Sequence, residues 1–289
     1  MILQYSEGMP YLRMNEKDQV AWIMRDYSDE LERFYESCTE TSRIAISEDF
    51  AAGFHAFIKM IKGKRFPILK GHITGPITFT LGLKDNQGRY VYFDEELREI
   101  ASMLLQAKAR WQIDMLKHHA EKVIIFIDEP ILSALGGSSY LGVSTEDVSM
   151  LISTIVAAIE NAGGIAGIHC CGRADWSMVI DSGPEILNFD AYDYLDPLII
   201  YHGAINQLLQ RGGYLAWGIV PTSESVNSLD EGQIIKLLKE SLEKMYRHIP
   251  AELVNSRILL TPSCGTGLRS IEETVKIFQL LMRLKEAMV

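Results

Sequence analysis

Short apolar runs rich in Val, Ile, Phe and Tyr recur along the chain, each followed by a longer stretch whose apolar positions fall three and four apart. The runs RIAIS (43–47), PILKGHIT (67–74), KVIIFID (122–128), GIAGIHC (164–170), EILNFDAY (185–192), GYLAWGIV (213–220) and RILLTPS (257–263) predict strands. The intervening periodicity predicts helices over 18–40, 49–62, 94–120, 145–162, 198–211, 229–247 and 271–288. Ser144 with Asp147, and Ser270 with Glu273, have the spacing of an N-cap with an acidic residue three positions on. In the helix over 94–120, Ile100, Leu104, Ala107, Trp111 and Met115 share one face, as packing on a sheet requires.

Strand–helix alternation over the whole length implies parallel strands with helical crossovers. A (β/α)8 TIM barrel fits best, as a single catalytic domain over 1–289, and a doubly wound open sheet is second. Seven strands are legible. The eighth has to fall within roughly the first 20 residues, where nothing reads as a strand, so the first strand is expected to be missing or irregular. Glu48, Asp128, His169 with Cys171, Asp190 and Cys264 sit at the far ends of these runs. In barrels and open α/β sheets alike, that rim is where sites are built.

The chain's 289 residues, 47% hydrophobic and 23% charged, describe a soluble globular protein without a disorder signature. A formal net charge of −10 argues against nucleic-acid binding, which needs clustered Lys and Arg. No run is long and apolar enough for a membrane span, and the N-terminus lacks the order of a signal peptide. The expected location is the cytoplasm. Four cysteines, Cys38, Cys170, Cys171 and Cys264, are too few for a disulfide framework, and in a reducing compartment cysteines beside a histidine point to metal or catalysis.

The segment GIHCCGRADW ends a predicted strand. Alternation places His169 and Cys171 on one face and Cys170 on the other. A His-x-Cys pair offers an imidazole and a thiolate as two corners of a zinc tetrahedron, and Cys264 in TPSCGTG, on a later loop, can supply a third. Zinc accepts both donor types, and three protein ligands leave a position open for substrate. At the level of spacing alone, core packing and metal binding both stay open for these residues. Core packing is the expectation for Cys38 and Cys170.

Taken together, GHITGPIT (71–78), IFIDEP (125–130), IHCCG (168–172), NFDAY (188–192) and TPSCG (261–265) resemble the C-terminal catalytic barrel of cobalamin-independent methionine synthases. The motifs keep that family's order over about residues 43–270, like its short single-barrel members without the N-terminal domain. The same ligand pattern occurs in related zinc methyltransferases with a uroporphyrinogen-decarboxylase-like fold. The resemblance implies zinc held by His169, Cys171 and Cys264, with Asp190 at the position of a fourth, carboxylate ligand. Asp190 is one methylene shorter than the family's Glu, so a hydrogen-bonding or substrate-binding role stays open. The resemblance also implies that Glu48 and Asp128 bind the ammonium of homocysteine, a helix N-cap being the alternative for each; for Glu129 the structural role is preferred.

The chain departs from the family where the methyl donor would bind. Gly82 stands where a Trp packs on the pterin, Ala134 near a folate-contacting Glu, and Trp217 or Gly218 where a proton-donating His is found. A donor other than methyltetrahydrofolate is therefore expected, a methylcorrinoid protein first. With no D-x-H-x-x-G motif here, the cobalamin would belong to that partner. The expected activity is zinc-dependent S-methylation of homocysteine to methionine. Coenzyme M or another thiol is the nearest alternative; a uroporphyrinogen-decarboxylase-like lyase and a non-catalytic zinc or corrinoid-partner binding protein are alternatives of other classes. His118 and His119 are expected at the surface, and spacing leaves Tyr5 and Glu7 undecided.

Overall fold

The structure, a computed structural model, describes residues 1–15, 20–26, 29–39, 41–136 and 140–288. They form two compact units, one of residues 1–131 with 141–167, the other of 132–140 with 168–289.

The first unit contains α1 (Ile2–Ser6), β1 (Leu12–Asn15), β2 (Val20–Ile23), α2 (Glu30–Ser37), α3 (Glu48–Ile61), β3 (Phe66–Thr74), α4 (Pro76–Gly82), β4 (Lys84–Asp85), α5 (Glu95–Lys117), β5 (Ala120–Asp128) and α6 (Thr145–Asn161). β3 and β5 pair in parallel from Phe66 opposite Ala120 to Thr74 opposite Asp128. On one face of β3, Leu69, Gly71 and Ile73 are buried. The reason is visible at Gly71, where a Cβ would lie 2.7 Å from Gln112 Oε1 and 3.3 Å from Leu116, both on α5. Val123, Ile125 and Ile127 of β5 complete this apolar layer.

Several expectations for this region change. Residues 43–47 belong to no helix and join no strand ladder among the described residues. Their amides go elsewhere: Ile44 N donates to Ala107 O and Ser47 N to Glu7 Oε2. The helix expected over 18–40 is helical only at Glu30–Ser37, because Val20–Ile23 pairs antiparallel with Leu12–Asn15; residues 18–19, 27–28 and 40 lie outside the described residues. So strands do form near the N-terminus, in a small sheet of order β1-β2-β4. α5 ends at Lys117, leaving exposed His118 and half-buried His119 in the turn before β5. Ile100, Leu104 and Ala107 are buried as expected, but Trp111 is half-buried against Phe54, at a ring-centroid distance of 5.1 Å.

The chain crosses between units inside β6 (Ile165–Cys170). The second unit continues with α7 (Trp176–Asp181), β7 (Ile186–Asp190), α8 (Leu195–Ile199), α9 (His202–Gln210), β8 (Tyr214–Val220), α10 (Glu231–Tyr246), α11 (Ala251–Asn255), β9 (Ile258–Pro262) and α12 (Ile271–Ala287). The helix expected over 198–211 is broken between α8 and α9. β7, β8 and β9 pair in parallel in that order. Trp217 on β8 is fully buried, edge-on to Phe189, and donates from Nε1 to Ser241 Oγ at 3.2 Å. Ser270 and Glu273 cap α12 reciprocally, and Ser144 accepts from Asp147 N at the start of α6.

The α/β class with parallel strands is realised. Among the described residues β3, β5, β6, β7, β8 and β9 are the strands of this type, six where a full barrel has eight, and no closed eight-stranded ring is formed. No helix among the described residues is long and apolar enough to cross a membrane.

Candidate metal centre

In the second unit, three of the residues that the motifs single out meet. His169 belongs to β6, Cys171 directly follows it, and Cys264 lies two residues beyond β9. One donor atom from each falls within 4.8 Å of the other two. Local structure explains how. Residue 170 interrupts the pair as alternation requires, and Cys170 is fully buried. Gly172 lets the chain turn close to Ser133, since a Cβ there would lie 2.6 Å from the Ser133 Cβ. The approach to Cys264 is tied down by Ser263, whose amide donates to Val220 O at 2.8 Å and whose Oγ accepts from Thr222 N at 3.1 Å.

The electrostatics suit a cation. The neighbouring Cys171 and His169 pull the Cys264 thiol well below its ordinary range. Cys171 is pushed up, first by its closeness to Cys264 and then by burial. Two thiols this close cannot both ionise readily without a cation between them, which a metal ion would supply. The donor set of one imidazole and two sulfurs fits zinc on ligand softness.

Asp190 ends β7, buried, with its Oδ1 accepting from Tyr192 N and Asp193 N, each at 2.9 Å. Burial raises its pKa to about 6; the two amides oppose that, and the Cys264 charge adds to it. It therefore lies within electrostatic reach of the cluster, while the group of mutually close donors among the described residues is His169, Cys171 and Cys264.

The two substrate-binding candidates lie in the first unit and have different surroundings. Glu48 is the first residue of α3, after the N-cap Ser47; it is exposed, paired with Lys59 Nζ at 2.7 Å, and lowered by that hydrogen bond. Asp128 ends β5 and accepts from His72 Nδ1 at 2.9 Å. Neither is an N-cap. The structural role preferred for Glu129 does hold. Its carboxylate accepts from Ile77 N and Thr78 N at 2.8 Å and from Thr78 Oγ1 at 2.7 Å, covering the start of α4. Gly75 makes room, because a Cβ there would lie 2.2 Å from Glu129. His72 is a polar neighbour of this region that motif spacing does not single out; its alternation with Lys70 along the strand is the signal that marks it in the sequence.

Two departures from the family pattern have packing reasons. At Gly82 a Cβ would come within 2.0 Å of Ile2 Cδ1. At Gly218 it would come within 2.4 Å of Phe189 O and 2.9 Å of Ser263 Cα, so β8 carries no side chain at that point.

No protein-family model matches the chain, and no curated protein matches it. Among solved structures it is similar to the "Putative Vitamin-B12 Independent Methionine Synthase" from Listeria monocytogenes, at 14% identity and a TM-score of 0.59, over 99% of this chain and 76% of that one. At that identity the likeness is one of fold.

Proposed function

We propose that this chain is a zinc-dependent S-methyltransferase that methylates homocysteine to methionine, working as a single catalytic domain in the cytoplasm. The observation that carries the reading is the convergence of His169, Cys171 and Cys264 from two separate strand ends. The fold likeness to a structure named as a methionine synthase supports it.

In this reading the three residues hold the zinc, and Asp190 is the carboxylate of the centre, as a ligand or as a hydrogen-bonding neighbour. A zinc ion there supplies a Lewis acid that lowers the pKa of a coordinating thiol. Glu48 and Asp128 take the substrate ammonium through charge-assisted hydrogen bonds, which favours an amino acid over a plain thiol. The methyl donor is a methylcorrinoid protein. Gly82 and Gly218 support this choice: Gly82 carries no ring to hold a pterin, and backbone atoms around Gly218 leave no space for an imidazole that protonates it.

Metal analysis should give about one zinc per chain, lost in Cys264→Ser. Cobalt(II)-substituted protein should change its sulfur-to-metal absorption when homocysteine is added, and an unchanged spectrum overturns the proposal. Methionine formation from methyltetrahydrofolate, free methylcobalamin and methylated corrinoid protein, assayed separately, tests the donor.

A further inference from the structure

The face of β3 opposite α5 carries Ile68, Lys70 and His72, alternating with the buried Leu69, Gly71 and Ile73. On β5, Lys122, Ile124 and Phe126 stand in register opposite Ile68, Lys70 and His72, and Asp128 stands one step further on, opposite Thr74. Lys70 Nζ sits 4.3 Å from the Phe126 ring centroid, an electrostatically favourable place for an ammonium group. His72 bonds through Nδ1 to Asp128 Oδ2, and its side chain is 41% exposed. The strand is fixed at this point, because Tyr5 Oη and Gln112 Nε2 both donate to the His72 carbonyl, at 2.5 and 2.8 Å.

Two features suggest that this face is built for a ligand. Thr74, next on the same face, is fully buried, yet its hydroxyl has no hydrogen-bond partner among the described residues. Native proteins rarely leave such a group unpaired. The charge balance is also uneven, with Lys70 and His72, and Lys122 further along the face, beside the one carboxylate of Asp128. Lys70 and His72 stand roughly 6–7 Å apart along the strand, close enough for one carboxylate to bridge them. Asp128 has a second oxygen that takes no hydrogen bond from the described residues.

The geometry points to a subsite on this face for the backbone end of an α-amino acid, with Lys70 and His72 on its carboxylate and Asp128 on its ammonium. This rests on the reading of the chain as acting on an amino-acid thiol, and extends it by naming the residues that recognise the acid group. A plain aminothiol, or a thiol bearing only an anion, satisfies half of the site.

The test uses thioethers, which report on the subsite without thiol activation. Calorimetry on zinc-loaded protein compares L-methionine with 3-(methylthio)propylamine, the same molecule without its carboxylate. Wild type should prefer methionine by about tenfold or more, the usual weight of a charge-assisted contact. Lys70→Met should remove most of that preference by weakening methionine alone, and Lys70→Arg should restore it. His72→Asn should act in the same direction. Equal affinities in wild type, or a Lys70→Met variant that weakens both ligands alike, overturn the subsite. If the preference behaves as expected while homocysteine leaves the cobalt spectrum unchanged, the subsite stands and the zinc-thiol reading falls.

Discussion

Asp128 and Asp190 both end parallel strands, and the chain treats them differently. Asp190, in the second unit, gives one oxygen to two amides of its own loop, and burial raises it to about 6. Asp128, in the first unit, is held by the side chain of His72. One carboxylate shapes backbone, and the other is set among ionisable groups. The regions around them differ in the same way. The second unit gathers soft donors close together, which suits a metal ion. The first gathers hard charges on a strand face, which suits a zwitterion. A strand-end carboxylate is thus a place for chemistry, and its neighbours decide which chemistry.

The sharpest way to break this contrast is at the soft cluster. Removing one of three ligands by Cys264→Ser should cost about 3–5 kcal/mol of zinc-binding free energy, taking a third of a typical structural-zinc affinity. Competition with a chelator measures it, and unchanged zinc affinity would mean the sulfurs converge for another reason.

The first unit offers two buried charges as controls. Glu129 is raised to about 7, mainly by burial and against the pull of its donors. Those three donors argue that it is the ionised form which covers α4. Glu129→Ala strands them and should cost about 3 kcal/mol in urea unfolding. A loss below about 1 kcal/mol would show that water replaces the carboxylate.

Lys108 is the opposite case, fully buried on α5 with no hydrogen-bond partner for Nζ among the described residues. Burial lowers it to about 8, and the Glu7 charge opposes this. Between about 8 and the ordinary lysine value the unfolded chain binds more protons than the folded one. Stability from this group therefore rises with pH across that window. Lys108→Met should flatten the rise and stabilise the protein at pH 7 by up to about 3 kcal/mol. A variant that is destabilised at every pH would show that Glu7 holds the lysine more strongly than burial opposes it.

The smallest effect belongs to the surface. Glu48→Gln breaks an exposed ion pair with Lys59 and should leave stability essentially unchanged in urea unfolding. Any fall in homocysteine affinity in that variant is then a binding effect, and an unchanged affinity removes Glu48 from the ammonium site while leaving Asp128 in place.

The α/β class, the later strands and the His169–Cys171 pair are all legible in the amino-acid sequence by itself. Each depends on local periodicity: two residues per repeat on a strand, and three or four on a helix. That signal fails where a segment's backbone partners are distant along the chain. Residues 43–47 have strand-like composition, but the amides of Ile44 and Ser47 are taken by Ala107 and Glu7. Val20–Ile23 is a strand because Leu12–Asn15 pairs with it. Only the tertiary structure brings Cys264 beside His169 and Cys171, since nothing in a chain's spacing measures distance between two strand ends some ninety residues apart. The same holds for His72 and Asp128, which are neighbours because two parallel strands are in register. Side-chain period is a local property of the backbone; convergence is a property of the fold.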